Sequence, residues 1–264
     1  PADAAYLKYE LTALAYHLAE RPGGFNALVI GPGGGRDLVS ALVFGARQVD
    51  GVEINSIIAH DVMLGRFRDY SGGIYAHPPV RMHVEDGRSF VRRSGEHYDV
   101  IQASLVDTWA ATAAGAYTLT ENSLYTAEAF GEYLDHLTDD GYLSITRWVF
   151  DGLRLVSLAQ EACAARGLDA ARHLAIVRHG RVATFLLKKT PFTPQEIASL
   201  ERVSRDLGFT VLYAPGLHPP LVIEEPPEMQ RTGTSAADYR RLILARDRGA
   251  FYASYPLDIA PTTD

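Results

Sequence analysis

Cysteine is almost missing from this chain: Cys163 is the only one in 264 residues. That excludes an intrachain disulfide framework and any zinc cluster built on cysteines. Its setting in the helical pattern near 153–166 makes it a packing residue. Long apolar runs are missing too. None approaches the ~20 residues needed to span a bilayer, and the first residues are not expected to act as a signal peptide. Runs of one charge are also absent. Lysines and arginines are dispersed and the net charge is −7, so a nucleic-acid surface is not expected. The nine histidines include no H-E-x-x-H and no close pair with a carboxylate at ligand spacing, so no metal site is expected. Ser40, Ser89 and Ser123 lack a nucleophile-elbow setting. What remains, 47% apolar and 22% charged, is an ordinary soluble globular composition that suits one large domain or one domain with an appendage. The chain starts at Pro1 without methionine and stops after Pro261-Thr262-Thr263-Asp264, so it reads as a piece of something longer.

The most informative stretch runs from Ala27 to Asn55. Ala27 to Ile30 is an apolar run suited to a buried parallel strand. Gly31-Pro32-Gly33-Gly34-Gly35 turns it into Arg36 to Phe44, where Leu38, Leu42 and Val43 repeat at helical spacing. A second strand, Gln48 to Val52, ends in Glu53. Strand, glycine turn, helix, strand and acid make a βαβ unit suited to a nucleotide. Glycines let the backbone approach a ligand that a Cβ would repel, and an acid about twenty residues on can accept from both ribose hydroxyls. A dinucleotide fingerprint needs glycine or alanine at 36, where this chain has Arg36, and no Gly-Lys-Ser/Thr of a P-loop follows. The G-x-G-x-G that remains is the form used by enzymes that bind S-adenosylmethionine or its relatives.

Around this unit the spacing predicts a leading helix over 4–20, stopped by Arg21 to Gly24, and a helix from Ser56 to Phe67. Further strands are expected at Val80 to Val84, Tyr98 to Ala103 and Tyr142 to Trp148, the last preceded by a turn at Asp139-Asp140-Gly141. Ser104 to Tyr125 has no periodicity, and loops of that length usually serve function or are disordered. Helices are expected at Thr126 to Leu137, 152–166, Pro194 to Leu207 and Tyr239 to Ala245. His173 to Arg178 and Val182 to Lys188 read as a hairpin, Phe209 to Tyr213 as an edge strand, and 215–234 as an extended linker. The expected fold is therefore α/β: a Rossmann-like, methyltransferase-type doubly wound sheet, mostly parallel, with an antiparallel C-terminal hairpin. Residues 1–190 would form the nucleoside-binding catalytic domain, and 191–264 a C-terminal extension packed on it.

An ordered set of short motifs resembles the spermidine synthase family of aminopropyltransferases, specifically its bacterial membrane-fused relatives. It comprises Tyr9-Glu10-Leu11, Gly31-Pro32-Gly33-Gly34-Gly35, Val52-Glu53-Ile54, Gly72-Gly73-Ile74-Tyr75, Glu85-Asp86-Gly87-Arg88, Tyr98-Asp99-Val100-Ile101, Asp107 and Glu121 to Phe130. The resemblance implies a seven-stranded sheet with a reversed last strand and a sulfonium nucleoside as cofactor, either S-adenosylmethionine or its decarboxylated form. It implies that Glu53 holds the ribose hydroxyls and that Asp86 accepts from the adenine amino group. Gly31, Pro32, Gly33, Gly35, Asp37, Ile54, Gly87 and Ser104 would complete the cofactor site. Asp107 would be the catalytic base for an amine acceptor, with Glu10 and Tyr117 as substrate contacts; loop packing is the other reading of Tyr117, Trp109 and Tyr125. The expected partner is a small-molecule amine. A homodimer, and transmembrane segments outside this chain that would set the domain at the cytoplasmic face of a membrane, are further expectations.

Two departures bear on the donor. The family's glycine turn carries an aspartate that falls here on Gly34, and the first acid of its D-x-x-D falls on Ser104. Asp37 is placed to compensate for one of them, while Arg36 beside the turn suits a ligand carboxylate. The expected reaction is alkyl transfer to an amine, aminopropyl transfer being the version the resemblance implies. Methyl or aminocarboxypropyl transfer is the alternative, and a non-catalytic nucleoside sensor for an attached membrane part is a third.

Overall fold

The computed structural model describes residues 2–106, 123–217, 220–221 and 235–264. Its strands are β1 (Phe25–Ile30), β2 (Ala46–Glu53), β3 (Val80–Val84), β4 (Tyr98–Ser104), β5 (Leu137–Trp148), β6 (Leu174–His179), β7 (Val182–Lys188) and β8 (Thr210–Tyr213). They form one sheet in the order β3-β2-β1-β4-β5-β7-β6-β8. The pairs from β3 through β5 are parallel. β7 runs antiparallel to both β5 and β6, and β8 antiparallel to β6. The mostly parallel sheet with an antiparallel C-terminal hairpin is as expected. It has eight strands rather than seven, because the edge segment predicted at Phe209 to Tyr213 pairs with β6 and extends the sheet.

The α-helices among the described residues are α1 (Leu14–Ala19), α2 (Arg36–Val43), α3 (Gly87–Arg93), α4 (Ala127–Asp135), α5 (Gly152–Ala164), α6 (Pro194–Leu207), α7 (Ala236–Ile243) and α8 (Arg248–Ser254). The central strands carry buried apolar runs, such as Ala27 to Ile30, because both faces are covered. Alternate residues go to opposite sides. Leu28 and Ile30 join one core with Phe90, Phe130, Leu153 and Tyr239 from α3, α4, α5 and α7. Ala27 and Val29 join a second with Leu14, Leu38 and Leu200 from α1, α2 and α6. Residues beyond 191 thus supply β8, α6 and α7 to the same sheet and cores. Cys163 lies buried in α5, and burial pushes its thiol up to about 12, so it is an inert packing group. No helix among the described residues is long and apolar enough to cross a membrane.

Three local expectations need correction. The leading helix is divided at Glu10, whose backbone is extended (φ −88°, ψ 139°), into 3₁₀ segments Ala2–Tyr9 and Leu11–Ala13 before α1 begins. The segment after β2 winds with π spacing over Ile57–Arg66 and is kinked at Gly65. Asp139-Asp140-Gly141 is no turn between helix and strand. It lies within β5, as an irregularity where the register jumps from Tyr98 opposite Leu137 to Val100 opposite Tyr142. Glycine and aspartate favour turns in general, but here a Cβ on Gly141 would stand 2.8 Å from the Tyr98 carbonyl oxygen, so the bulge itself needs glycine.

Candidate functional site

The parallel strands present their C-terminal ends along one edge in the order β3, β2, β1, β4, and the order in which strands are added reverses between β1 and β4. In open α/β sheets that switch point is where ligands bind. Here it gathers Asp86 after β3, Glu53 at the tip of β2, the glycine turn after β1, and Ser104 at the end of β4.

Gly31 opens the turn, its N–H donating to the Val52 carbonyl at 2.9 Å. Gly35 closes it at φ +85° as the N-cap of α2, where a Cβ would meet Ile74 at 2.7 Å. Between them, a Cβ on Gly33 or Gly34 would find nothing within 4 Å, so the backbone there faces open space. Glu53 is only 5% exposed and holds the turn from below. Its Oε2 accepts from the Gly33 N–H at 3.2 Å and its Oε1 from the Asn55 N–H at 2.9 Å. Tyr75 donates its hydroxyl to the Gly33 carbonyl at 2.8 Å. Burial first, and the nearby Glu53 charge second, raise the Tyr75 pKa, so it stays a neutral donor. Ile54, the next residue along, is 54% exposed, and Val84, which pairs with Glu53, is partly exposed.

Asp86 serves as the N-cap of α3, its Oδ1 accepting from the Ser89 N–H at 2.8 Å. It reaches the switch point because Gly87 lets α3 approach β1 closely: a Cβ there would lie 2.6 Å from the Ile30 Cγ2. Buried Arg88 pins the same turn. It donates twice to Glu132 at 2.9 Å and twice to Asp264 at 2.5 and 2.7 Å. That guanidinium holds the Asp264 carboxyl down to about 2.

On the β4 side, Asp37 is buried at 7% exposure and its Oδ1 has no hydrogen-bond partner. Burial raises its pKa, while the Ser104 hydroxyl and the Arg36 guanidinium pull it back. Ser104 Oγ accepts from Gln102 Nε2 at 2.9 Å, and the same amide nitrogen donates to the Thr12 carbonyl at 2.9 Å. Tyr16 donates to Gln102 Oε1, which fixes the amide's orientation. Arg36 lies across the mouth, with Nη2 3.4 Å from Thr12 Oγ1, Nη1 4.0 Å from Glu10 Oε2 and Nε 3.7 Å from Asp37 Oδ1. Glu10 is thereby brought beside the turn.

This fold recurs in solved structures. A probable spermidine synthase from Corynebacterium glutamicum ATCC 13032 superposes with a TM-score of 0.58 at 16% identity, over 98% of this chain and 80% of that one. Spermidine synthase from Thermotoga maritima gives 0.52 at 16% identity, over 78% and 75%. A spermidine synthase in complex with the transition-state analogue AdoDATO gives 0.51 at 16% identity, over 77% and 74%. The chain has the spermidine synthase fold. At this identity the likeness is one of fold. No protein-family model matches the sequence, and no curated protein matches it.

The structure therefore brings Gly31, Pro32, Gly33, Gly35, Asp37, Glu53, Ile54, Asp86, Gly87, Ser104 and Glu10 to one crevice. Asp107 and Tyr117, the predicted base and substrate contact, lie outside the described residues. Sequence reasoning missed Tyr75 as the clamp on Gly33, although Gly72-Gly73-Ile74-Tyr75 stood in the resemblance. It also missed Gln102, whose signal was a lone amide between the apolar residues Val100, Ile101 and Ala103 of β4. Leu105 gave no signal: it adopts φ +50°, a conformation non-glycine residues take at a cost of about 1–3 kcal/mol, directly after Ser104. Among the described residues, no three His, Cys, Asp or Glu side chains gather as a metal site.

Proposed function

We propose that this chain is an enzyme that transfers an alkyl group from a sulfonium nucleoside to a small-molecule amine. One observation carries the reading: a buried acid at the tip of β2 holds a turn whose next backbone units, Gly33 and Gly34, border open space. When bound, such a nucleoside supplies an activated carbon with a neutral thioether as leaving group. The protein's task is then alignment. Glu53 accepts from the ribose hydroxyls, exchanging or sharing its bonds to Gly33 and Asn55. The second oxygen of Asp86 accepts from the adenine amino group while the first keeps its cap on α3. Ile54 and Val84 offer apolar surface to the base.

An amine attacks only when unprotonated, which gives a carboxylate near the acceptor a clear task. Asp107 is proposed for it on sequence grounds, three residues past the end of β4. Aminopropyl transfer, the reaction implied by the resemblance, requires the decarboxylated donor. Arg36 at the mouth favours a second reading, in which S-adenosylmethionine donates a methyl or aminocarboxypropyl group. Calorimetry with methylthioadenosine tests the nucleoside site, and mass spectrometry of amine mixtures with each donor tests turnover. Binding without turnover of any amine would favour a nucleoside sensor over an enzyme.

A further inference from the structure

The strand order gives the crevice a direction. Asp86, Glu53, the glycine turn and Ser104 follow one another along β3, β2, β1 and β4, a run of three strand spacings or about 14 Å. If the base lies at Asp86 and the ribose at Glu53, the sulfonium and its tail point toward β4. Three charged side chains stand there. Asp37 is buried, with one carboxylate oxygen unpartnered and its pKa raised by burial, so its charge is poorly compensated. Glu10 is partly exposed at the rim. Arg36 lies between them with its side chain 46% exposed. Among the described residues, all its contacts are 3.4 Å or longer: one to the Thr12 hydroxyl and one to each carboxylate. A guanidinium whose planar fork meets no carboxylate at bonding distance retains its capacity to grip one. Thr12 also ties this arginine to the β4 side, because its carbonyl accepts from Gln102.

We propose that Arg36, flanked by Asp37 and Glu10, is the specificity determinant that selects a donor with a zwitterionic amino-acid tail, S-adenosylmethionine rather than its decarboxylated form. Arg36 takes the tail carboxylate in a bidentate pair, and the tail ammonium lies toward Asp37 and Glu10. An ammonium-only tail sets like charge beside Arg36 and offers its guanidinium no carboxylate, which disfavours the decarboxylated donor. The inference rests on the sulfonium-nucleoside reading above and names the donor for that same site.

Calorimetry with S-adenosylmethionine, decarboxylated S-adenosylmethionine and methylthioadenosine, on the wild-type chain and on Arg36→Met and Arg36→Lys, tests it. The wild type should bind S-adenosylmethionine at least about tenfold more tightly than the decarboxylated form. Arg36→Met should lose about 10–100-fold for S-adenosylmethionine. It should leave methylthioadenosine unchanged and bind the decarboxylated form as well as, or better than, before. Arg36→Lys keeps the charge without the fork and should fall between. Unchanged methylthioadenosine affinity also certifies that each variant is folded. Equal wild-type affinity for the two donors, or an equal loss for all three ligands in Arg36→Met, would overturn the proposal. If none of the three binds the wild type, the nucleoside reading itself falls, and this inference with it.

Discussion

Replacing Glu53 by alanine removes the carboxylate on which the nucleoside site is built. In the free protein it accepts from two backbone N–H groups, Gly33 at 3.2 Å and Asn55 at 2.9 Å. Both donors lie where water can replace the lost acceptor, so the stability cost falls near the low end of the range for an abandoned hydrogen-bonding group, about 1–2 kcal/mol. At about 2–4 °C per kcal/mol for a chain of this size, the melting temperature drops by several degrees without loss of fold. The binding cost is larger. Two charge-assisted bonds to ribose are worth about 1.5–3 kcal/mol each at most. Glu53 must give up or share its existing backbone bonds to make them, so the net loss is nearer the value of one, roughly a 10–150-fold weaker affinity. Calorimetry with methylthioadenosine, paired with thermal melting, reads both quantities. Glu53→Gln should fare little better, since its amide must point a donor at either Gly33 or Asn55. A folded Glu53→Ala protein with nucleoside affinity within about twofold of wild type would refute the assignment.

Other outcomes follow from the same geometry. Asp86→Asn retains an N-cap of equal quality, so stability should stay within a few tenths of a kcal/mol while affinity for adenine nucleosides falls about tenfold; calorimetry and melting together separate the two. Asp107→Asn should preserve nucleoside binding and lower turnover by about 10² or more, less so at high pH where the amine is already deprotonated; full activity across pH would leave Asp107 without a catalytic task. Asp37 has a folded pKa raised by burial, so its ionisation opposes folding above that pKa. Asp37→Asn should therefore stabilise the ligand-free protein at neutral pH, with the gain shrinking in acid. The Arg88–Asp264 pair has the opposite sign. Asp264 is held at about 2, below its unfolded value of about 3.9, so its contribution is present above the unfolded value and is lost as pH falls through about 2. Denaturation monitored between about pH 4 and 2 should show a smaller pH dependence in Asp264→Ala than in wild type.

The strands were legible because the central ones are buried on both faces, which leaves unbroken apolar runs such as Ala27 to Ile30. The glycine turn and Glu53 were legible because their chemistry is local, all within one βαβ unit. α6 was legible to the residue, since Thr193, Pro194 and Glu196 form a capping box with proline at its start, and Gly208 ends it at φ +73°. What escaped depends on contacts distant in sequence. Asp37 is buried and feels the Ser104 hydroxyl, 67 positions on, and nothing near residue 37 announces this. Gly141 reads as a turn glycine until the Tyr98 carbonyl is seen beside it. The leading segment has helical periodicity, but periodicity does not distinguish 3₁₀ from α winding when the segment is packed against α2 and breaks at Glu10.

The central claim is that a nucleoside lies across Gly31–Gly35 with its ribose on Glu53. A crystal structure with methylthioadenosine tests it most directly. The account predicts both ribose hydroxyls within about 2.5–3.0 Å of the Glu53 carboxylate oxygens, the adenine amino group at Asp86, and the Gly33 bond to Glu53 lengthened or broken. A nucleoside bound elsewhere, or a ribose turned to solvent with Glu53 still bonded to Gly33 and Asn55, would contradict it.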